Sequence, residues 1–145
     1  MAKEYVNEQL STGVYVGESE NGKANGVGTF TWNSGAKYEG DWSNDRRSGF
    51  GTFAWANGRI YKGDWEDDKP CGYGECWWED GTHYVGNWRD GKKNGHGAYT
   101  SVDGEILDGE WVDDSFEIVV ETETERLLFE QGIYDEQPEI KEYEE

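Results

Sequence analysis

The chain has 145 residues, 34% of them apolar and 15% aromatic, and its 32 acidic and 13 basic residues give a formal net charge of −19. A charge of this sign repels nucleic acid and anionic lipid headgroups, so it excludes nucleic acid as an expected partner and favours basic proteins. No stretch is long and apolar enough to cross a membrane and the N-terminus lacks the apolar run of a signal peptide, so we expect a cytoplasmic protein with Cys71 and Cys76 as free thiols.

The chain begins with a short arm ahead of any repeated pattern. Within this arm, Glu4–Leu10 is expected to supply one partial strand at an edge of a sheet. The terminal units of repeat proteins are commonly atypical, because one side of them faces water or a partner. We therefore assign residues 1–13 to an N-terminal cap strand or arm.

A fixed repeat occupies residues 14–114. Tyr15, Tyr38, Tyr61 and Tyr84 recur every 23 residues, and almost every glycine and tryptophan between them recurs at the same spacing. A repeat of this length is one small supersecondary unit that buries its apolar surface by stacking on its neighbours. The sequence therefore predicts a tandem array of four full units and a partial fifth.

Each unit has the pattern of a β-hairpin. In the second unit, Tyr38, Gly40 and Trp42 alternate along one side of a strand, and the residues from Gly49 to Trp55 repeat this alternation on a second strand. A helix would need apolar residues three and four positions apart, and glycine costs a helix about 1 kcal/mol at each interior position. The array therefore predicts an all-β fold, a single sheet of tandem β-hairpins.

Two sets of glycines recur with the hairpins. The structural glycines lie between large side chains on one face, where we expect their missing side chains to leave room for an aromatic ring of a neighbouring strand. They are Gly17, Gly40, Gly63, Gly86 and Gly109. The second set follows Ser, Asn or Asp, which accept left-handed conformations, and so predicts turns at Gly35, Gly58, Gly81 and Gly104.

After the fourth unit the pattern becomes irregular. Residues 107–111 keep the frame of a fifth unit, but its second strand lacks the glycines. Farther on, Leu127–Tyr134 is predicted to form a final strand, with a short helix over Glu121–Glu130 as the open alternative. Residues 115–145 carry 11 acidic and two basic side chains, so we assign them to an acidic C-terminal cap and tail.

Charged residues recur along one predicted rim of the sheet. Lys23, Arg46, Lys69 and Lys92 stand one repeat apart, and they share this rim with Asp45, Asp67, Asp68 and Asp90. Two interpretations stay open, a phosphate-binding stripe and a mixed, solvated edge that prevents strands of different molecules from pairing.

The units resemble MORN repeats (membrane occupation and recognition nexus), whose frame is Y-x-G-x-W-x-x-G-K-x-x-G-x-G. The fourth unit matches this frame through Tyr84, Gly86, Trp88, Gly91, Lys92, Gly95 and Gly97. The chain departs from the repeat pattern at several residues. Ser19 replaces the first Trp, Asp45 and Asp68 replace the Gly that precedes the Lys, and Ser101 replaces the last Trp of the hairpin. The resemblance covers about Val14 to Asp114. It implies an elongated, curved sheet of successive hairpins, a solenoid whose aromatic-lined groove binds a segment of a partner.

Two surfaces are candidates for binding. The predicted partner-binding groove has at its centre Tyr38, Trp42, Trp55, Tyr61, Trp65, Trp78, Tyr84 and Trp88. The same rings must also stack to hold the sheet together, so a structural role is the open alternative for each. On the other side of the strands, apolar groups that the repeat frame does not require mark a second candidate interface, Val27, Phe50, Tyr73 and Trp77.

The sequence has no pattern typical of an enzyme or of a cofactor site. His83 and His96 fall in unrelated positions of the repeat, and no Cys or His stands at zinc-ligand spacing. The carboxylates belong to the polar connectors between the two strands of each unit. We therefore expect no catalytic residue, no bound metal and no cofactor.

Small acidic arrays of this kind resemble radial spoke head and other axonemal proteins. The resemblance implies a non-catalytic protein-binding scaffold, one subunit of a cytoskeletal or ciliary assembly, whose partners present basic or amphipathic segments. A homodimer is left open. One alternative is a membrane adaptor that binds phosphoinositides, which the net charge opposes. The other is a glycan-binding or choline-binding repeat that stacks its ligand on aromatic rings.

Overall fold

The computed structural model describes residues 3–117 of the chain. They form eleven strands, and no helix occurs among them. The strands are β1 (Glu4–Gln9), β2 (Gly13–Glu20), β3 (Lys23–Trp32), β4 (Lys37–Ser43), β5 (Arg46–Ala54), β6 (Ile60–Glu66), β7 (Lys69–Trp77), β8 (His83–Arg89), β9 (Lys92–Thr100), β10 (Ile106–Val112) and β11 (Ser115–Phe116). The predicted strand Leu127–Tyr134 and the alternative helix over Glu121–Glu130 lie outside the described residues.

All of these strands belong to one open antiparallel sheet whose spatial order is the order of the sequence. Each 23-residue unit is one hairpin, from β2–β3 to β8–β9, and β10–β11 is a shortened fifth hairpin. The prediction of an all-β sheet of tandem hairpins is confirmed. Because no strand crosses over another, equivalent side chains of successive units fall into columns across the sheet.

Two kinds of turn join the strands from β2 to β11. Within each unit a two-residue turn has both residues at positive φ, as at Asn44 (49°) and Asp45 (68°), which is the type I′ geometry that matches the twist of a hairpin. Between units, the amide of Gly58 donates to the carbonyl of Trp55 at 3.1 Å. The predicted turn glycines all adopt this role, with φ of 97° at Gly35, 97° at Gly58, 93° at Gly81 and 87° at Gly104.

A β-bulge, which the sequence pattern did not reveal, interrupts each of the four full hairpins. In the second unit Gly40 pairs with Gly51, and the register then shifts before Trp42. The carboxylate of Asp41 accepts a hydrogen bond from the amide of Phe50 at 3.0 Å. The first and third units repeat this bond with their own carboxylates. These acidic residues therefore stabilise the bulge, in addition to carrying charge.

The core is a single layer of side chains on one face of the sheet. Gly40 lies opposite Gly51, and the ring of Tyr38 lies against both glycines while its hydroxyl donates to the carbonyl of Asp41 at 2.8 Å. The sequence pattern predicted that the ring beside Gly40 would come from a neighbouring strand. It comes instead from Tyr38 of the same strand. Gly17, Gly63 and Gly86 repeat this arrangement, whereas Gly109 lies against the ring of Phe116 because Leu107 replaces the tyrosine.

Candidate functional site

A continuous row of aromatic rings runs along one face of the sheet, which we call the aromatic face. Tyr38, Tyr61 and Tyr84 each stand edge-on between two tryptophans: the ring centroid of Tyr38 is 5.1 Å from that of Trp42 and 5.2 Å from that of Trp65, at interplanar angles of 85° and 83°. These contacts continue from Tyr15 to Trp111. Each such pair contributes about 0.5–1.5 kcal/mol beyond the area it buries, so the row joins the units to one another.

Most residues of the predicted groove lie in this row and are buried. Tyr38, Tyr61 and Tyr84 are 0% exposed, Trp42, Trp55, Trp65 and Trp88 are at most 9% exposed, and Trp78 is half-buried. The indole N–H of Trp65 donates to the carbonyl of Gly51 in the preceding unit at 3.1 Å, a bond that the other tryptophans of the row repeat. The row therefore forms the floor of the aromatic face, and solvent reaches half-buried rings such as Trp78.

The rings also surround the side chain at the second position of the second strand in each hairpin. This position is occupied by Ala24, Arg47, Pro70 and Lys93 in the four units. We call each surrounding set of rings an aromatic box and number the boxes one to four along the chain. A box combines the tyrosine of its unit, the second residue after the G-x-G, the tryptophan of the next unit and, from box two onward, the last tryptophan of the preceding unit.

Box two holds the guanidinium group of Arg47. Its central carbon lies 5.1 Å from the ring centroid of Trp65, 5.3 Å from that of Phe53 and 5.7 Å from that of Trp32. The Nε atom donates to Asp68 at 3.1 Å. A guanidinium at this distance from several rings is attracted by their negative faces, and the carboxylate adds to that attraction.

Box four holds the ammonium group of Lys93, which is 0% exposed. Its Nζ lies 4.9 Å from the ring centroid of Trp111 and is within 5.8 Å of three further rings. The nearest carboxylate oxygen, on Asp114, is 3.6 Å away, and Nζ has no hydrogen-bond partner among residues 3–117. Burial lowers the pKa of Lys93 to about 8, against the opposing attraction of Asp114.

Box three has a different composition but also contains a cation. Pro70 takes the central position, and Cys76 replaces the aromatic residue two positions after the G-x-G. Arg59 enters instead, with its guanidinium carbon 4.3 Å from the ring centroid of Trp55 and 5.5 Å from that of Trp78. Its Nε donates to the sulfur of Cys76 at 3.2 Å. Burial raises the pKa of the Cys76 thiol, so the sulfur stays neutral and accepts this bond.

An aspartate of the following unit's turn closes boxes two and four. Asp68 accepts the backbone N–H of Arg47 at 2.8 Å, and Asp114 accepts that of Lys93 at 2.8 Å. In box three the donor and the acceptor of this bond are both missing. Pro70 has no N–H to donate, and a glycine stands at the position of the aspartate. Asp68, which departs from the MORN-like frame, thus has a structural role between neighbouring units.

The second candidate interface forms an exposed row on the other side of the sheet, which we call the opposite face. Val27, Phe50 and Tyr73 are 60%, 50% and 57% exposed. Trp77 is less exposed, because its ring stacks on that of His83 at 5.2 Å and 25°. The structure therefore separates the predicted site residues into a buried row on the aromatic face and an exposed apolar row on the opposite face.

The predicted rim cations Lys23, Arg46, Lys69 and Lys92 are all exposed. Arg46 lies 3.5 Å from a carboxylate oxygen of Asp67. Among residues 3–117 no group of three or more His, Cys, Asp or Glu side chains is arranged to hold a metal ion. Within the same range there is no helix long and apolar enough to span a membrane.

Sequence reasoning missed the cations inside the boxes. It singled out the rim residue Arg46, whereas the neighbouring Arg47 is the one that turns inward, and it did not consider Arg59 or Lys93. A signal was present in the sequence: where the central position is Pro70, the residue 21 positions later is a glycine, and in the other units it is an aspartate.

A family model described as the MORN repeat matches four consecutive segments of the chain, residues 15–37, 38–58, 61–83 and 84–106. Each segment begins at one of the four tyrosines that define the repeat. The second segment leaves two residues between its end and the next tyrosine, and the others end directly before the next unit. A search of curated proteins returned no match.

Proposed function

Because the chain belongs to the MORN-repeat family, we propose that it is a non-catalytic scaffold that binds a segment of another protein along its aromatic face. Family membership indicates a repeat-based binding module but does not by itself fix a function. The observation that carries the proposal is the aromatic face itself. All strands of residues 3–117 belong to the sheet, so the part of the chain described supplies no second layer over this row of rings and charges.

The partner segment is expected to be basic or amphipathic. The net charge of −19 attracts cations, and acidic turn residues such as Asp45 and Asp68 lie beside the aromatic boxes. Complementary charge speeds the encounter of two proteins and orients them, while aromatic groups at the centre of an interface supply much of the binding energy.

The opposite face offers a second docking surface, for another partner or for a second copy of this chain. Its row of Val27, Phe50 and Tyr73 is apolar and exposed. The amides of these three residues are held by carboxylates at 2.7–3.0 Å, so their backbone is fixed before any partner binds. Apolar side chains that line up on a solvent face are typical of interfaces.

We further propose a cytoplasmic setting in a cytoskeletal or ciliary assembly of the radial spoke type. What supports this setting is the resemblance of the acidic array to arrays of that kind. The finding that would oppose it is recovery of only membrane lipids or metabolic enzymes with the protein from cell lysate.

The two faces are distinguished by comparing pull-downs with four baits: the unchanged protein, Trp78→Ala, the double variant Phe50→Ser with Tyr73→Ser, and Val102→Ser. Val102 is 65% exposed in a turn and serves as the matched control for the loss of an exposed apolar group. Each bait is first shown to be folded by its unfolding curve.

We expect Trp78→Ala to reduce recovery of a basic partner at least about tenfold, because a central aromatic residue is lost. The double variant and the control should change recovery by less than about twofold. Equal recovery by all four baits, or loss with the double variant alone, would contradict binding along the aromatic face.

A further inference from the structure

Box one has the walls of a cation site, but no lysine or arginine of residues 3–117 lines it. Its central position is Ala24, where boxes two and four have Arg and Lys. Trp42 lies 5.5 Å from Tyr15 at 87° and 6.5 Å from Phe30 at 49° between ring centroids. The corresponding distances in box four are 5.5 Å at 86° and 6.1 Å at 54°. The rings are therefore placed as in an occupied box.

The carboxylate that closes boxes two and four is also present in box one. Asp45 accepts the backbone N–H of Ala24 at 2.8 Å, the same bond that Asp68 and Asp114 make. Glu8, which pairs with Tyr15 across β1 and β2, adds a second carboxylate. Burial and the nearby carboxylates raise the pKa of Tyr15 to about 12, as expected of a site with negative potential.

Between these groups lies a cavity of about 240 Å³. It is lined by Glu8, Leu10, Tyr15, Ser19, Gly22, Ala24, Phe30, Trp42 and Asp45. Ser19 stands where later units have a tryptophan, which leaves this space open. Leu10, Gly22 and Asp45 are exposed, so the cavity opens to solvent. A water molecule occupies about 30 Å³ of liquid, so the cavity admits the end of a long side chain.

We propose that box one binds the ammonium or guanidinium group of a lysine or arginine side chain that the partner segment supplies. This inference rests on the proposed function and names what the partner presents at the N-terminal end of the aromatic face. The other three boxes each hold a cation of this chain, Arg47, Arg59 or Lys93. Box one combines three of these rings and the carboxylate with an alanine, and no lysine or arginine of residues 3–117 lines its cavity, so we assign its cation to the partner.

The site is tested by NMR titration with N-acetyl-lysine methylamide and N-acetyl-arginine methylamide, followed at the indole N–H of Trp42, which donates to the carbonyl of Gly28. N-acetyl-norleucine methylamide is the neutral control of similar length. We expect a saturable shift at millimolar concentration with at least one charged probe and a response at least about fivefold weaker with norleucine. No saturable shift with either charged probe, or equal shifts with all three, would overturn the proposal.

Two variants make the test specific. Ala24→Lys places in box one the side chain that box four already holds, so it should fold and should abolish the shift at Trp42. Lys93→Ala empties box four and should produce a second saturable shift at Trp111 while leaving that at Trp42 unchanged. Both proteins are checked by their unfolding curves, and Ala24→Arg serves if Ala24→Lys does not fold. A probe that still shifts Trp42 in the folded variant would contradict the site.

Pull-downs with Ala24→Lys distinguish failure of this inference from failure of the scaffold. A loss of partner recovery of at least about fivefold supports binding of a partner cation in box one. Unchanged recovery with Ala24→Lys, together with loss in Trp78→Ala, would reject the role of box one and leave the scaffold intact. Recovery that no aromatic-face variant changes would reject the scaffold itself.

Discussion

Lys93 shows at the scale of one residue how this sheet tolerates charge in its core. Four rings and the carboxylate of Asp114 surround its ammonium group, yet burial still lowers its pKa to about 8 from an ordinary 10.5. The unfolded chain therefore binds more protons than the folded one between about pH 8 and pH 10.5. The free energy of unfolding should accordingly rise with pH in this window as the buried group loses its charge.

We expect the stability of the unchanged protein to rise relative to Lys93→Met by about 2 kcal/mol between pH 7 and pH 9.5, from the linkage between pKa and folding. The comparison with the variant cancels the ionisation of tyrosines, which both proteins share. Urea unfolding followed by tryptophan fluorescence at both values of pH measures the difference. A difference that does not change with pH would mean that water reaches the ammonium group.

The glycines opposite each other in the sheet give a second test at residue scale. A Cβ added at Gly63 would overlap the Cα of Gly74 and lie 2.5 Å from the carbonyl oxygen of Tyr73. Both are backbone atoms, so no side-chain rotation relieves the overlap and the strands must move apart. Gly63→Ala should therefore lower the free energy of unfolding by about 1–3 kcal/mol.

Gly81→Asn is the matched control for this substitution. Gly81 has a φ of 93°, which asparagine accepts better than most residues, and a Cβ there meets nothing within 4 Å. Gly81→Asn should lower the free energy of unfolding by less than about 1 kcal/mol. If both variants unfold at the same urea concentration, the facing glycines have no special role in bringing the strands together.

At the scale of the element, each turn also stabilises its neighbour. Asp68 and Asp67 occupy the same turn and both have positive φ. Asp68 accepts the amide and Nε of Arg47 from the preceding unit at 2.8 and 3.1 Å, whereas Asp67 makes only an exposed contact with Arg46 at 3.5 Å. Both aspartates reach the preceding hairpin, but only Asp68 does so through a backbone amide and through a partly buried side chain.

Asp68→Ala should therefore lower the free energy of unfolding by about 1–2 kcal/mol more than Asp67→Ala, because a hydrogen bond to a charged group is lost. The strain of alanine at positive φ is common to both variants and cancels in the difference. Chemical denaturation of the two proteins in parallel gives the measurement. Equal destabilisation would show that the bond between the turns contributes nothing to stability.

The elements could be predicted from the sequence because their signals are local. Alternation from Tyr38 to Trp42 defines a strand, and Gly58 after Asn57 defines a turn, without knowledge of any distant contact. The bulge and the boxes could not be predicted in this way. They depend on contacts between units, such as Arg47 with Asp68, that join residues 21 positions apart and become visible only once the strands are in register.

At the scale of the whole molecule, residues 3–117 form a set of columns that repeat across one sheet. Each hairpin pairs only with its neighbours in sequence, so stability is expected to build up from contacts between adjacent units. The sequence predicted the columns of rings and placed Phe50 on a solvent face, but it left open how far the Tyr and Trp rings of the other face are buried. Burial of Tyr61 and exposure of Phe50 follow from the face of the sheet to which each belongs.

Charge at the scale of the whole molecule predicts weak binding to anionic membranes. The exposed cations Lys23, Arg46, Lys69 and Lys92 lie among carboxylates on a protein of net charge −19. Liposomes that contain phosphatidylserine or phosphoinositides should therefore not retain the protein at physiological salt. Cosedimentation that weakens as salt is added would instead support the lipid-binding alternative.

Photo-crosslinking from the two faces tests the central claim most directly, namely that a partner segment binds along the aromatic face. The photoreactive residue p-benzoylphenylalanine replaces Trp78 in one folded protein and Tyr73 in another, and each is irradiated in the same cell lysate. We predict that Trp78→p-benzoylphenylalanine captures a basic segment of a protein that Tyr73→p-benzoylphenylalanine does not. A segment crosslinked from position 73 and not from position 78, or from neither position, would contradict the account.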